Sequence, residues 1–273
     1  ISRPTAGLVT TITEVHSRFF HSLDQIAETK FDLYRSLPAD GITFLNMNDD
    51  YIRNFSPPTG RVVSYGIDVT ADITASIHSM DEYSRVRLAI DGVGTAQLQV
   101  SGAFQGTNAL AAAAVGLTFG VSPSEIRERL ESFRAMPGRA RILERNGKTI
   151  IDDSYNANPQ SMKAALDILA SAPPDRRKIA ILGDMLELNS SRDQKHRDIG
   201  AYAASRGVDV VIGVGTLARL IADEAENRQV DQTYQFKDVA ECIGALPEIL
   251  GNNDTLLIKG SHGMQLEKIL ENL

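Results

Sequence analysis

Residues 150–162 read IIDDSYNANPQSM. Two apolar residues, Ile150 and Ile151, are followed by Asp152, Asp153, Ser154, Tyr155, Asn156 and Asn158, and then by Pro159. This is the pattern of a buried strand that ends in polar side chains just before a helix. Backbone amides at a helix N-terminus attract anions, and a strand-to-helix turn displays its side chains in the crevice beyond the strand. Asp152 and Asp153 are suited to accepting from ribose hydroxyls or to holding a cation. Ser154, Tyr155, Asn156 and Asn158 are suited to bonding phosphate or substrate amides. Any one of these could be a polar turn residue that caps its own loop; six together argue for a site.

Two further stretches have the same form. In ILGDMLELN, Asp184 and Glu187 follow an apolar run, and His196 lies on the next helix. In LIKGSHGM, Lys259, Ser261 and His262 follow another apolar run. A lysine beside helix amides is a natural binder of anions or carboxylates, its alternative being a solvated loop lysine. Three polar clusters at neighbouring strand ends are expected to converge on one cleft.

The elements that must position them follow from periodicity. RARILER and KTIID flank Asn146-Gly147, a hairpin turn in which both central residues tolerate positive φ. In QSMKAALDILA, Met162, Ala165, Leu166 and Leu169 recur at helical spacing, with Asn158 as N-cap and Pro159 at the first helical position. Then come a strand KIAILG, a helix over 191–206, a strand VDVVIGV, a helix over 216–228, a weak strand TYQF, a helix over 238–250, a strand DTLLIKG and a helix over 263–272. Strands alternating with helices predict crossovers and a mostly parallel sheet. Upstream, AGLVTTI and GITFLN read as buried strands around a helix near 22–37. A run of β structure follows from RVVSYGI to TAQLQV, and then two helices, GTNALAAAAVGLTFG and PSEIRERLESF. Pro137-Gly138 marks a boundary.

The bulk composition narrows the class. The chain has 273 residues, room for two domains, with 42% apolar residues for their cores. A formal net charge of -7 argues against a nucleic-acid-coating protein. Cys242 is the one cysteine, which excludes a disulfide framework and a thiolate metal cluster and fits a reducing cytoplasm. No run approaches the ~20 apolar residues of a membrane span, so no membrane insertion is expected. No signal peptide is visible, and a first residue of Ile reads as a processed or truncated piece.

DDSYNANPQSM, LGDMLEL with the following His196, and KGSHGM resemble the Mur ligases, specifically the branch that adds D-Ala-D-Ala. The resemblance extends through SLDQIAETK, LPADGITFLNMNDD, TNALAAAAVGLTFG and the PGR boundary, so it covers essentially the whole chain. It implies an α/β fold: a partial central ATPase domain over 1–137, then a Rossmann-like C-terminal ligase domain over 138–273. It implies ATP and Mg2+ as cofactors, UDP-N-acetylmuramoyl tripeptide and D-Ala-D-Ala as substrates, and a cytoplasmic monomer. In the family, ATP phosphorylates the carboxylate of the muramoyl peptide, and the amine of D-Ala-D-Ala attacks the acyl phosphate. Such chemistry depends mostly on positioning and positive charge.

By the same resemblance, His16 matches a histidine of a magnesium site. Lys30 matches a lysine that is carbamylated in relatives and so becomes a metal ligand. Asn108 matches an asparagine beside the adenine, and Arg139 an arginine reaching the ATP phosphates. Asp153 matches the carboxylate on the ribose, with Tyr155 beside it on the nucleotide. Asn156, Asn158, Asp184, Lys259, Ser261 and His262 match the substrate-facing shell, with Asn156 and Lys259 nearest the chemistry. Each matched role has a plainer rival: a capping or surface histidine for His16, a solvated lysine for Lys30, a helix cap for Asn108, a surface ion pair for Arg139. The chain departs from the family's pattern at Thr11, where Asn is usual, at Phe104-Gln105, where His-Asn is usual, and at His262, where Arg is common. Two other readings stay open: another Mur-like ATP-dependent amide ligase, and a non-catalytic module that keeps the nucleotide crevice.

The family's phosphate loop, of the G-x-x-G-K-T/S type, does not occur in these residues. Backbone amides and a lysine of that loop would hold the β and γ phosphates. This span by itself is therefore expected to release no ADP above background in a coupled assay; ADP release stimulated by D-Ala-D-Ala would overturn that expectation.

Overall fold

The computed structural model describes residues 3–13, 20, 22–58, 60–188 and 191–273. The chain divides into two compact units, the first comprising Ile1–Met80, Arg85–Gln99 and Ala103–Phe133, the second Asp81–Ser84, Val100–Gly102 and Arg134–Leu273.

The first unit is built on a six-stranded sheet: β1 (Ala6–Leu8), β2 (Ile42–Asn46), β3 (Arg61–Ile67), β4 (Ile73–Met80), β5 (Arg85–Ile90) and β6 (Gly94–Ser101), in that spatial order. The β1 to β4 pairings are parallel and β4–β5 is antiparallel. Helices α1 (Leu23–Arg35), α2 (Asp50–Arg53), α3 (Phe104–Thr118) and α4 (Pro123–Ser132) complete it. Strand β1 is shorter than the apolar run AGLVTTI predicts. Beyond Leu8 the backbone finds side-chain acceptors in place of a ladder: Val9 N–H donates to the Tyr34 hydroxyl at 3.0 Å and Ile12 N–H to Asp49 Oδ2 at 2.7 Å. The short helix α2, unanticipated from the sequence, starts where Asp49 Oδ1 caps the amides of Tyr51 and Ile52.

The second unit is a doubly wound sheet. Its strands are β7 (Arg141–Arg145), β8 (Lys148–Asp152), β9 (Arg177–Gly183), β10 (Val210–Val214), β11 (Gln232–Phe236) and β12 (Asp254–Lys259), ordered β11-β10-β9-β12-β8-β7. Only β7 runs antiparallel, through the predicted hairpin, with φ 49° at Asn146 and 77° at Gly147. Helices α5 (Pro159–Ala170), α6 (Arg192–Ser205) and α7 (Arg219–Asn227) cover one face, and α8 (Val239–Ile249) and α9 (Glu267–Glu271) the other. Alternation along the strands feeds both cores: Ile151, Ala180 and Leu257 enter one, Ile150, Ile179 and Leu256 the other.

The expected helix over 263–272 is broken. A 3-10 turn, His262–Met264, precedes Gln265 in the left-handed region (φ 56°), and only then does α9 begin. The break turns Leu266 inward, fully buried, against Gly183 and Gly260 at the ends of β9 and β12. A side-chain Cβ at Gly260 would lie 2.6 Å from Leu266 Cδ1, so glycine there is a packing requirement.

Candidate functional site

Strands β8, β12 and β9 are adjacent and parallel, so their C-terminal ends lie side by side. The three polar clusters are thereby brought together at one edge of the second unit's sheet, the usual ligand position on such folds.

At the centre is a buried ion pair. Lys259 Nζ lies 2.6 Å from Asp153 Oδ2 and donates to the Asn156 carbonyl at 2.9 Å. Lys259, expected to face the substrate, is only 2% exposed, and its ammonium is turned onto Asp153. Asp153 Oδ1 accepts from Ala140 N–H at 3.0 Å. Burial pushes the Lys259 ammonium below the ordinary lysine range and the Asp153 carboxyl above the ordinary carboxylate range, and in each case the partner's charge opposes the shift. The short contact, with amide and carbonyl groups completing both partners' bonding, favours the charged pair.

Asp152 is spent on the same task. Its Oδ2 accepts from Gly138 N–H at 2.8 Å and its Oδ1 from the Ser154 hydroxyl at 2.6 Å. Gly138 sits at φ 73°, and a Cβ there would lie 3.0 Å from Tyr155 N. The two aspartates thus pin residues 138 and 140 to the end of β8, and Arg139 between them projects outward. Its guanidinium lies 3.9 Å from the centroid of the Tyr155 ring, a cation–π contact, and the Tyr155 and His262 rings are 5.5 Å apart. Arg139, Tyr155 and His262 are all exposed. They form a basic and aromatic surface suited to an anionic ligand with a planar group.

The β9 loop is tied on three sides. Asp184 is buried, and its Oδ1 accepts from Leu217 and Ala218 N–H at 2.9 and 2.7 Å. Its carboxylate occupies amides that precede α7, so that oxygen faces the protein. Ser261 Oγ accepts from Leu186 N–H at 2.9 Å, while Ser261 N–H donates to the Asp184 carbonyl. His196 is fully buried; its Nε2 accepts from Met185 N–H at 3.0 Å, and Nδ1–H donates to the Arg192 carbonyl at 2.6 Å. This histidine braces the loop from below.

The remaining candidates are placed as follows. Asn158 caps α5, accepting from Ser161 N–H at 2.8 Å in a reciprocal capping box. Asn156 Oδ1 accepts from Ala157 N–H. Asn108 lies exposed within α3 and donates to Gln105 Oε1 at 3.1 Å; the helix starts at Phe104, so Asn108 is not its cap. Lys30, on α1, donates to the Thr11 carbonyl at 2.8 Å, and burial lowers its ammonium from the ordinary lysine value while Asp49 opposes that. His16 lies outside the described residues. Sequence reasoning missed the amides of Gly138 and Ala140, which carry no side-chain signal.

Two family models match the chain: "Mur ligase middle domain" over residues 1–116 and "Mur ligase, glutamate ligase domain" over residues 138–262. The chain belongs to the Mur ligase family. The UDP-N-acetylmuramoyl-tripeptide--D-alanyl-D-alanine ligase of Bacillus subtilis is 30% identical over 276 residues, covering 100% of this chain and 60% of that relative. A MurF crystal structure from Acinetobacter baumannii matches with TM-score 0.86 and 26% identity, over 99% of this chain and 60% of that one. The MurF ligase of Thermotoga maritima, solved in complex with ADP, matches in fold with TM-score 0.80 and 22% identity, over 99% of this chain and 62% of that one. This Mur ligase chain therefore spans about 60% of the length of relatives it matches.

The bracing role of His196 has a pH signature. Burial holds its imidazole below the ordinary value of 6.5; the Arg192 carbonyl, Asp184 and Asp193 favour the charged form, and the Arg192 guanidinium opposes it. Above that value the ring is neutral in both folded and unfolded chains, and the bond from Met185 is complete. As pH falls through it, the unfolded chain takes the proton first, so this contribution to stability is lost toward the lowered native value. Melting temperatures followed from about pH 8 to about pH 5.5 are expected to fall less steeply in His196→Gln than in the unaltered protein. Equal slopes would remove His196 from this role.

Proposed function

We propose that this chain is the ATPase-and-acceptor part of an amide ligase that joins D-Ala-D-Ala to UDP-N-acetylmuramoyl tripeptide, in the cytoplasm and as a monomer. The observation that carries the reading is the convergence of the DDSYNANP, GDMLEL and KGSHGM loops at three adjacent strand ends, in a chain aligned with ligases of that name along its whole length.

The described residues fit a nucleotide at the β8 end: Arg139 supplies positive charge, Tyr155 a ring face, and Asp153 retains acceptor capacity with its side chain 16% exposed. ATP supplies the phosphoryl group that activates the peptide carboxylate. Arg139, fixed between two anchored amides, neutralises phosphate charge without having to be ordered when the ligand arrives. His262, exposed at the β12 end, lies where a substrate carboxylate can be received. In the first unit, Asn108 is exposed on α3. For magnesium, the reading rests on Lys30 and His16. An amine whose burial disfavours the ammonium is the species that reacts with carbon dioxide, so Lys30 fits a lysine converted to a carbamate ligand.

In the full-length enzyme, ADP release is expected to require both the tripeptide nucleotide and D-Ala-D-Ala; release indifferent to the dipeptide would reject the proposal. Asp153→Asn is expected to raise the ATP KM about tenfold, from the loss of a charge-assisted hydrogen bond worth roughly 1.5–3 kcal/mol. The D-Ala-D-Ala KM should move much less. Normal ATP kinetics in the folded variant would leave Asp153 solely as the counter-ion of Lys259.

A further inference from the structure

After Leu8 the chain leaves the first unit's sheet, and side chains from α1, β2 and the start of α2 take hold of its backbone. Val9 N–H donates to the Tyr34 hydroxyl at 3.0 Å, and the Thr10 carbonyl accepts from Asn46 Nδ2 at 2.7 Å. The Thr11 carbonyl accepts from Lys30 Nζ at 2.8 Å, and Ile12 N–H donates to Asp49 Oδ2 at 2.7 Å. Val9 and Ile12 bury their side chains in the core that α1 helps to form.

Asp49 divides its two oxygens between separate tasks. Oδ1 accepts from Tyr51 and Ile52 N–H, both at 3.1 Å, and caps α2. Oδ2 accepts from Ile12 N–H and from the Thr11 hydroxyl, the latter at 2.9 Å. The Thr11–Ile12 peptide is thus held by its N–H on Asp49 and by its C=O on Lys30. A trans peptide is planar, with N–H and C=O pointing in opposite directions. Fixing the N–H on Asp49 therefore aims the carbonyl at Lys30.

We infer that Asp49 is a positioning residue for Lys30: through the Thr11–Ile12 peptide plane it fixes where the Lys30 nitrogen sits, and with it the group that Lys30 offers to a metal ion. This rests on the reading of Lys30 given above. When an amine adds carbon dioxide, one N–C bond forms, one proton leaves, and the product keeps a single N–H. The Thr11 carbonyl is already in place to accept from that N–H, so the same peptide plane orients the carbamate. A lysine on its flexible four-carbon stem would otherwise lose rotamer freedom each time the metal bound. The consequence falls on metal affinity.

The test uses the full-length enzyme. Asp49→Asn separates the two tasks: asparagine caps a helix as well as aspartate does, but an amide nitrogen in place of Oδ2 cannot accept from Thr11 and Ile12. Thr11→Val removes the hydroxyl donor alone. Asp50→Asn removes the same charge one residue away, at an exposed side chain paired with Arg53 at 2.9 Å. Asp49→Asn is expected to raise the Mg2+ concentration for half-maximal rate about tenfold, the lower end of what losing a partner of a metal-holding side chain costs. The ATP KM at saturating Mg2+ should stay within about twofold, and Mn2+ binding to the ADP-loaded enzyme, followed by electron paramagnetic resonance, should weaken in step. Thr11→Val should shift both metal readouts the same way by less, and Asp50→Asn should shift neither. Unchanged metal affinity in Asp49→Asn, whatever its melting temperature, or an equal shift in Asp50→Asn, overturns the inference. Should Asp49→Asn fail to fold, unchanged metal affinity in Thr11→Val overturns it instead. Lys30→Met tells the two readings apart: if it leaves Mn2+ binding intact, the metal role of Lys30 fails and this inference with it, whereas if it weakens binding and Asp49→Asn does not, the inference alone fails. Mn2+ binding is read without turnover, so the outcome does not depend on whether ADP release needs the dipeptide.

Discussion

Taking a lysine ammonium out of water is among the costlier things a fold can do, and the candidate site is organised around having done so at Lys259. With 2% of its surface exposed, that side chain must be met by a carboxylate and by further acceptors. Asp153 supplies the charge and the Asn156 carbonyl the second acceptor. The requirement propagates. Asp153 must remain at the end of β8, so its other oxygen takes Ala140 N–H, and Asp152 beside it takes Gly138 N–H. A segment without strand or helix structure of its own is thereby fixed against the sheet, and Arg139 is aimed outward from it. The exposed guanidinium is thus held in place by way of a second, buried positive charge.

The carboxylates at the three strand ends divide into those turned inward and those left accessible. Asp152 and Asp184 are 2% and 6% exposed and satisfy backbone amides of their own unit. Asp184 behaves as an internal anion, filling the amides ahead of α7 that could otherwise receive phosphate. Gly215, at φ 115°, accommodates it, since a Cβ there would fall 2.6 Å from Asp184 Oδ1. At the β8 end the accessible basic and aromatic groups are Arg139 and Tyr155.

Much of this was legible in the sequence because the strands speak in runs and the loops in polar clusters. The doubly wound sheet, the Asn146-Gly147 hairpin and the capped start of α5 all follow from local rules, each satisfied in the structure. The convergence of the three clusters was legible too, since strands followed by helices end on one edge of a parallel sheet. Residue roles within the clusters were not. Nothing in KGSHGM distinguishes a lysine that faces solvent from one that is buried; that depends on which carboxylate the fold brings opposite it, here one 106 positions away. His196 illustrates the same limit: its spacing from GDMLEL is compatible with a cleft residue, yet the packing of α6 puts it beneath the loop. The end of β1 and the break before α9 were illegible because each depends on a residue distant in sequence, Asp49 in the first case and Gly183, against which Leu266 packs, in the second.

If the Lys259–Asp153 pair is the constraint on which the site depends, its two members are strongly coupled. The most direct measurement is a double-mutant cycle by chemical denaturation with Lys259→Met, Asp153→Asn and the combined variant. Removing one partner strands a buried charge or leaves acceptors unmet, at a cost of about 3–5 kcal/mol, whereas removing both is expected to cost distinctly less than the sum of the single changes. Destabilisations that simply add would show that the two side chains are neighbours without being partners, and the account built on them would be contradicted.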